Sequence, residues 1–149
     1  MRFLIYVMIT LAFGYINAFA GDAELEKYIK AFDYDARKEM KIDSKTLITL
    51  LKKGEAQLID IRFVEEYEAW KVGVAKNIPL NELPDRLSEL KKDKLIVTAC
   101  PHKDRAALAM LYLQSKGIKA KYLTDGLIGL AENLRGDNAR TFIEAIKKE

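Results

Sequence analysis

The segment Leu95–Ala99 constrains the fold of this chain more than any other feature of the sequence. Its residues, Leu-Ile-Val-Thr-Ala, are apolar or β-branched on both faces of an extended strand. Such a strand is typical of the centre of a parallel sheet, because helices cover both faces of a sheet of that kind. The rest of the chain is therefore expected to supply further strands and helices for two outer layers.

The remaining apolar patterns alternate between strand and helix lengths, as this architecture requires. Short apolar runs at 56–61 and 120–123 predict two more strands, and residues 40–42 form a brief segment before the next helix. Helical spacing predicts helices over the ranges 22–40, 44–53, 65–70, 80–90, 105–116, 127–134 and 139–148. The alternation predicts an α/β fold of three layers, with a mostly parallel central sheet flanked by helices.

Composition excludes several classes of protein. The 149 residues are 50% hydrophobic and 32% charged, which fits a globular domain and excludes a disordered chain. A net charge of +3 is too small for the electrostatic footprint of a nucleic-acid-binding protein, so no nucleic-acid partner is predicted. The chain has a single cysteine, Cys100, which excludes an internal disulfide and a cysteine-cluster metal site. We predict neither a metal nor another cofactor.

The N-terminal residues have the pattern of an export signal. Arg2 precedes the uncharged run Phe3–Ala20, which closes with small residues at Ala18 and Ala20, the −3 and −1 positions of a cleavage site. The pattern predicts a signal peptide over residues 1–20, cleaved after Ala20, and a periplasmic or secreted protein. The alternative is an uncleaved membrane anchor, since the run approaches the roughly 20 residues that a spanning helix needs. Residues 21–40 are then predicted as an N-terminal helix.

Cys100 is the residue to which the predicted topology points. It follows the central strand directly, and Arg105 opens the next helix, so this loop lies at the carboxyl edge of the sheet, where α/β proteins collect ligands. Backbone N–H groups of such a loop can form an anion-binding nest, reinforced by the helix dipole. A nest of this kind lowers the pKa of a thiol and makes it nucleophilic. The alternative interpretation of Cys100 is a buried residue that only packs.

The charged side chains of the loop have opposing effects on the binding of an anionic substrate. Lys103 and Arg105 attract an anionic substrate, whereas Asp104 between them subtracts from the field. Of the two cations, Lys103 is the better candidate for substrate binding, and Arg105 has an alternative role as a structural lid on the loop. We expect the side chain of His102 to be exposed rather than paired with the thiol.

Five blocks of sequence, in a fixed order, carry a resemblance to a known family. They are Leu58–Arg62 followed by Glu66-Tyr67, then Ala75–Leu80, Leu95–Cys100, Cys100–Arg105 and Leu123–Leu127. Together they resemble a single-domain rhodanese, a thiosulfate sulfurtransferase-like domain, here spanning residues 41–149. The resemblance implies that Cys100 is the sulfur-accepting nucleophile and that His102, Lys103, Asp104 and Arg105 form the substrate-binding cradle. It also implies a small anionic sulfur donor and a thiol, cyanide or protein as the sulfur acceptor.

The loop departs from that family in ways that bear on activity. Residues 101–104 have the sequence Pro-His-Lys-Asp, where active members commonly carry an arginine, a small residue and a glycine. Without glycine, Lys103 or Asp104 must adopt a positive φ or the loop must take a different path. An inactive module that binds an anion or a protein partner is therefore the alternative function; a phosphatase is disfavoured because its loop is longer. Asp60, Arg62 and Glu66 are interpreted as a structural ion-pair group.

Overall fold

The computed structural model of the chain describes residues 23–147, so the predicted signal segment lies outside the described residues. Of these, residues 23–35 belong to one compact unit and residues 36–147 to a second. In the first unit, helix α1 covers residues 23–30, and the ring of Tyr28 lies 6.2 Å from that of Phe32. Between residues 23 and 147, no helix has the length and apolar character needed to cross a membrane.

The helix predicted over residues 22–40 is interrupted. Helix α1 ends at residue 30, and helix α2 covers Tyr34–Glu39. At the break, the backbone N–H of Asp35 donates to Oδ1 of Asp33 at 3.0 Å. A side chain that accepts from the backbone two residues ahead starts a new turn instead of continuing the old helix. Apolar spacing carries no record of such a local hydrogen bond, and for this reason the prediction of one helix was wrong.

The second unit is built on a sheet in which every pairing is parallel. Its strand order is β1-β5-β4-β2-β3, so β4 lies at the centre, where the two-sided apolar pattern of this segment had placed it. The three-layer α/β fold predicted from the alternation is confirmed, and the strand lengths follow the apolar runs. The strands are β1 Lys41–Ile42, β2 Ala56–Asp60, β3 Lys76–Asn77, β4 Leu95–Ala99 and β5 Ala120–Leu123.

Helices cover both faces of this sheet. On β4, Ile96 belongs to the buried cluster that includes Met110 of α5, whereas its neighbour Val97 belongs to the cluster that includes Leu130 of α6. Successive strand residues point to opposite faces, so both faces of β4 are buried, each against helices. The helices of this unit after α2 are α3 Ser44–Lys52, α4 Val64–Ala69, α5 Asp104–Ser115, α6 Gly126–Asn133 and α7 Asp137–Ile146.

The helix predicted over residues 80–90 forms as a short 3₁₀ helix, Leu83–Glu89. Pro84 lies at its start and lacks a backbone N–H, and Arg86 leaves helical geometry at φ −116°. The Arg86 guanidinium is bound on two sides, by Glu82 at 2.8 Å and Glu89 at 2.6 Å. The leucine spacing predicted which face of this segment is buried. It did not predict that the segment forms a 3₁₀ helix with a proline at its start.

A buried ion pair joins the end of β2 to helix α4. The side chains of Asp60 and Arg62 have no exposed surface, and Arg62 donates from Nε and Nη2 to the two carboxylate oxygens at 2.9 and 2.6 Å. Arg62 also donates to the main-chain carbonyls of Glu66 at 3.1 Å and Trp70 at 2.7 Å, and it lies 4.1 Å from the Trp70 ring centre. Asp60 and Arg62 thus have the structural role expected, but Glu66 contributes a carbonyl here and directs its carboxylate elsewhere.

We predict that Arg62→Lys, which keeps the charge but loses hydrogen bonds to buried acceptors, lowers the free energy of unfolding by about 1–3 kcal/mol, measured by urea denaturation. Lysine has no planar fork, so it cannot satisfy the Asp60 carboxylate and two carbonyls together. The matched control is Arg140→Lys, because the Arg140–Asp137 pair is exposed at 71% and 90% of its side-chain surface. The control should change stability by less than about 0.5 kcal/mol. An equally small change for Arg62→Lys would contradict the anchoring role.

Candidate active site

Cys100 follows β4 directly at the carboxyl edge of the sheet, and helix α5 begins four residues later at Asp104. The cysteine has no exposed surface and belongs to the buried cluster that includes Ile59 and Ala106. The loop above it is open to solvent, since His102, Lys103 and Asp104 are exposed. The predicted site residues therefore form one contiguous loop with the sulfur at its base.

The first turn of helix α6 holds the carbonyl groups of this loop. The N–H of Leu127 donates to the Cys100 carbonyl at 2.8 Å, and the N–H of Ile128 donates to the Pro101 carbonyl at 3.4 Å. The approach is close, because a Cβ atom on Gly126 would lie 2.2 Å from the Pro101 oxygen and 2.3 Å from that of His102. Gly126 also has a φ of +64°, which only glycine adopts at little cost.

The backbone N–H groups on the other side of the loop face the sulfur. Burial raises the pKa of the Cys100 thiol, whereas hydrogen bonds from the N–H groups of Ala106, His102 and Arg105 lower it, and the Asp104 charge raises it. The burial effect is the largest, and the pKa ends above its ordinary value. The N–H groups expected from the sequence do lower the pKa, but the expected net fall in the pKa of the thiol is wrong, because the loss of water around the thiolate raises the pKa by more than the N–H groups lower it.

The negatively charged carboxylate of Asp104 lies next to the sulfur. Its Oδ1 lies 3.7 Å from Sγ of Cys100, within the range of a hydrogen bond that the thiol donates. The carboxylate also accepts the N–H of Arg105 and its own N–H, and these contacts lower the pKa of Asp104. The side chain is therefore ionised at neutral pH, and it competes with the sulfur for the N–H of Arg105.

Arg105 is bound to a carboxylate from another helix. Its Nη1 and Nη2 donate to Oε2 and Oε1 of Glu66 at 2.7 and 2.9 Å, which joins the start of α5 to α4. The pairing raises the pKa of Arg105 and lowers that of Glu66 to about 2. The sequence left two roles open for Arg105, a substrate ligand or a structural lid on the loop. Its guanidinium is bound to both carboxylate oxygens of Glu66, which corresponds to the structural role.

The two remaining loop residues present their side chains to solvent. His102 is exposed, as expected, and only its backbone N–H is directed at the sulfur. Lys103 is exposed and has φ −155° and ψ −22°, and no residue other than glycine between 23 and 147 has a positive φ. Of the two possibilities that the missing glycine left open, the chain uses the second, a different path for the loop.

Three contributors to the site were missed in the sequence. Ala106 lies one residue past the predicted cradle, yet the first turn of any helix leaves its N–H groups free, and this rule could have found it. Gly126 and Leu127 hold the loop from outside. The glycine shortly after β5 indicates a turn in the sequence. That this turn contacts the loop after Cys100 cannot be predicted from the local sequence.

Comparisons with known proteins agree on the domain family, whereas the curated relatives differ in the function that their names give. The rhodanese-like domain family matches residues 43–132. A protein named sulfurtransferase from Allochromatium vinosum is 32% identical over 94 residues, which are 62% of this chain and 88% of that protein. An HTH-type transcriptional regulator from Mycobacterium tuberculosis is 32% identical over 118 residues, 78% of this chain, and the match spans 52% of its length. A rhodanese-like domain protein from Staphylococcus aureus superposes with a TM-score of 0.56 at 27% identity, covering 60% and 89% of the two chains.

We predict that Gly126→Ala destabilises the protein by at least about 2 kcal/mol in urea denaturation. The added methyl group meets two carbonyl oxygens of the loop, and alanine is strained at the positive φ of this position. Gly73→Ala is the matched control, because a methyl group on Gly73 would meet nothing within 4 Å beyond its chain neighbours, and this glycine has no positive φ. Its effect should stay within about 0.5 kcal/mol. Equal effects for the two variants would show that the α6 turn does not hold the loop.

A second prediction concerns pH. The pKa of Glu66 falls from 4.5 to about 2 on folding, so the pair with Arg105 stabilises the protein fully above pH 4.5 and loses its effect as pH falls towards 2. Glu66→Gln should lower the free energy of unfolding by about 0.5–1 kcal/mol at pH 7, since the pair is partly exposed, and by almost nothing at pH 2. Glu68→Gln on the same helix is the control. A difference between wild type and Glu66→Gln that stays constant with pH contradicts the pairing.

Proposed function

Because the chain belongs to the rhodanese-like domain family, we propose that it is a sulfurtransferase in which Cys100 carries sulfane sulfur as a persulfide. The observation that carries the proposal is the position of Cys100, the one cysteine of the chain, at the carboxyl edge of the central strand and four residues before helix α5, where the N–H groups of Ala106, His102 and Arg105 lower the pKa of its thiol. N–H groups in this arrangement stabilise a sulfur anion, whether a thiolate or the outer sulfur of a persulfide. The named sulfurtransferase relative supports the same chemistry.

The proposed reaction has two steps. The Cys100 thiolate attacks the outer sulfur of a small anionic donor of the thiosulfate type, a new S–S bond forms, and sulfite leaves with the electron pair of the broken bond. A thiol, cyanide or protein acceptor then attacks the outer sulfur of the persulfide and restores the thiolate. The N–H groups of His102, Arg105 and Ala106 hold the anionic sulfur in both steps.

Access to the sulfur controls the rate in this proposal. Cys100 has no exposed surface, and burial holds its thiol pKa above the ordinary value, so few molecules carry an accessible thiolate at neutral pH. The carbonyl groups of Cys100 and Pro101 are held by N–H groups of α6. Sulfur transfer therefore requires a local opening that exposes Sγ while the N–H groups of His102, Arg105 and Ala106 stay close to it.

The second candidate function is an inactive module that binds an anion or a protein partner. Its support is the same burial and raised pKa of Cys100, together with the engagement of Arg105 by Glu66. The two candidates differ in turnover, because the module forms no persulfide and releases no thiocyanate.

We predict that the purified protein produces thiocyanate from cyanide with thiosulfate or 3-mercaptopyruvate, and that Cys100→Ser produces none. In the absence of acceptor, the intact mass should rise by about 32 Da, one sulfur atom, and fall again with reductant. Cys100→Ser should show no such adduct. If wild type and Cys100→Ser give the same background of thiocyanate with both donors, the sulfurtransferase proposal fails and the binding module stands.

We further propose that the protein is exported and that residues 1–20 are removed. The support is the order of charge, apolar run and small residues at the N-terminus. The same mass spectrum, taken on protein from its native host, identifies the first residue: Gly21 supports cleavage, and an intact N-terminus in the membrane fraction supports the anchored alternative.

A further inference from the structure

A carboxylate is built into the cradle that the proposed chemistry uses. Asp104 lies in the first turn of α5 with Oδ1 3.7 Å from Sγ of Cys100, and it accepts the N–H of Arg105 that also faces the sulfur. An incoming anionic donor must therefore compete with the Asp104 carboxylate for the N–H of Arg105.

The nearby cation offsets that charge only in part. The Arg105 guanidinium is held by both oxygens of Glu66 at 2.7 and 2.9 Å, so these two charges balance each other. Lys103 and Asp104 are both exposed and screened by solvent, but Oδ1 of Asp104 lies 3.7 Å from Sγ, a distance at which screening by salt has little effect. Around the sulfur, the charges of Arg105, Glu66 and Asp104 sum to one net negative charge, and the Asp104 charge adds to the rise in the pKa of Cys100.

We propose that Asp104 selects sulfur donors by charge, disfavouring dianions such as thiosulfate and favouring donors of lower charge, of which organic hydropersulfides are the fitting class. This inference rests on the sulfurtransferase function proposed above and refines its donor. Asp104 acts as a specificity-determining residue, because its repulsion scales with the charge that the donor brings near Oδ1.

The reaction with a hydropersulfide balances without an oxidant. Cys100 first loses its proton to solvent, and its thiolate attacks the terminal sulfur of R–S–SH. A bond forms between the two sulfurs, the R–S to SH bond breaks, and the thiolate R–S⁻ leaves with the electron pair. The products are the Cys100 persulfide and a thiolate that takes a proton from water. Thiosulfate gives the same persulfide but brings two negative charges past Asp104.

The test compares two alkylating reagents of similar size that differ in charge. Iodoacetate is an anion and iodoacetamide is neutral, so the ratio of their rates at Cys100 measures the local field, whereas a shift in the thiol pKa changes both rates alike. We expect Asp104→Asn to raise this ratio about fivefold, the factor that one unit charge near 4 Å produces in water. Asp93→Asn, an exposed carboxylate before the amino end of β4, makes the same change of charge and should leave the ratio unchanged.

A turnover assay extends the test to donors. Asp104→Asn should lower the KM for thiosulfate, which carries two charges, about 25-fold, and the KM for the hydropersulfide of 2-mercaptoethanol, which carries at most one charge, by no more than about fivefold. An unchanged alkylation ratio in Asp104→Asn overturns the inference, whatever the turnover. If neither reagent labels Cys100 in the folded protein, no donor reaches the sulfur and the inference fails. A shifted ratio with no thiocyanate from either donor is instead the failure of the sulfurtransferase function.

Discussion

The hydrogen bond from the N–H of Leu127 to the carbonyl of Cys100 is the contact on which the site depends. The next peptide is held the same way: the Pro101 carbonyl accepts from Ile128, and because a trans peptide has its carbonyl and N–H on opposite sides, the N–H of His102 is turned away from α6 and towards the sulfur. Helix α6 binds the oxygen side of the loop and helix α5 supplies N–H groups to the sulfur side. The parallel sheet makes this possible, because it brings the starts of both helices to one edge.

Opposing electrostatic effects meet at Cys100. Three N–H groups favour the thiolate, whereas burial and the Asp104 carboxylate favour the thiol, and the second set prevails. The result is a thiol that stays protonated while the sulfur is buried. Because the supporting N–H groups belong to the backbone beside the sulfur, entry of water would remove the burial effect and shift the balance towards the thiolate.

Much of the fold was predictable because its pattern is local. The strands Leu95–Ala99 and Ala120–Leu123 have the bounds that the sequence predicted, since apolar period and turn residues report directly on them. The site was predictable only in outline. Glu66 and Arg105 are 39 residues apart, and their pairing arises from how α4 and α5 pack. The pKa of Cys100 likewise depends on the depth of the sulfur, which no spacing of residues reveals.

The loop over Cys100 has one property with consequences for its tolerance of substitution. None of its residues has a positive φ, and the glycine that packs against its carbonyl groups lies outside it, at Gly126. Side chains at positions 102–104 can therefore be exchanged without rebuilding the main chain. Substitution at these three positions can therefore change the charge beside the sulfur while the backbone contacts to α6 that hold the loop stay in place.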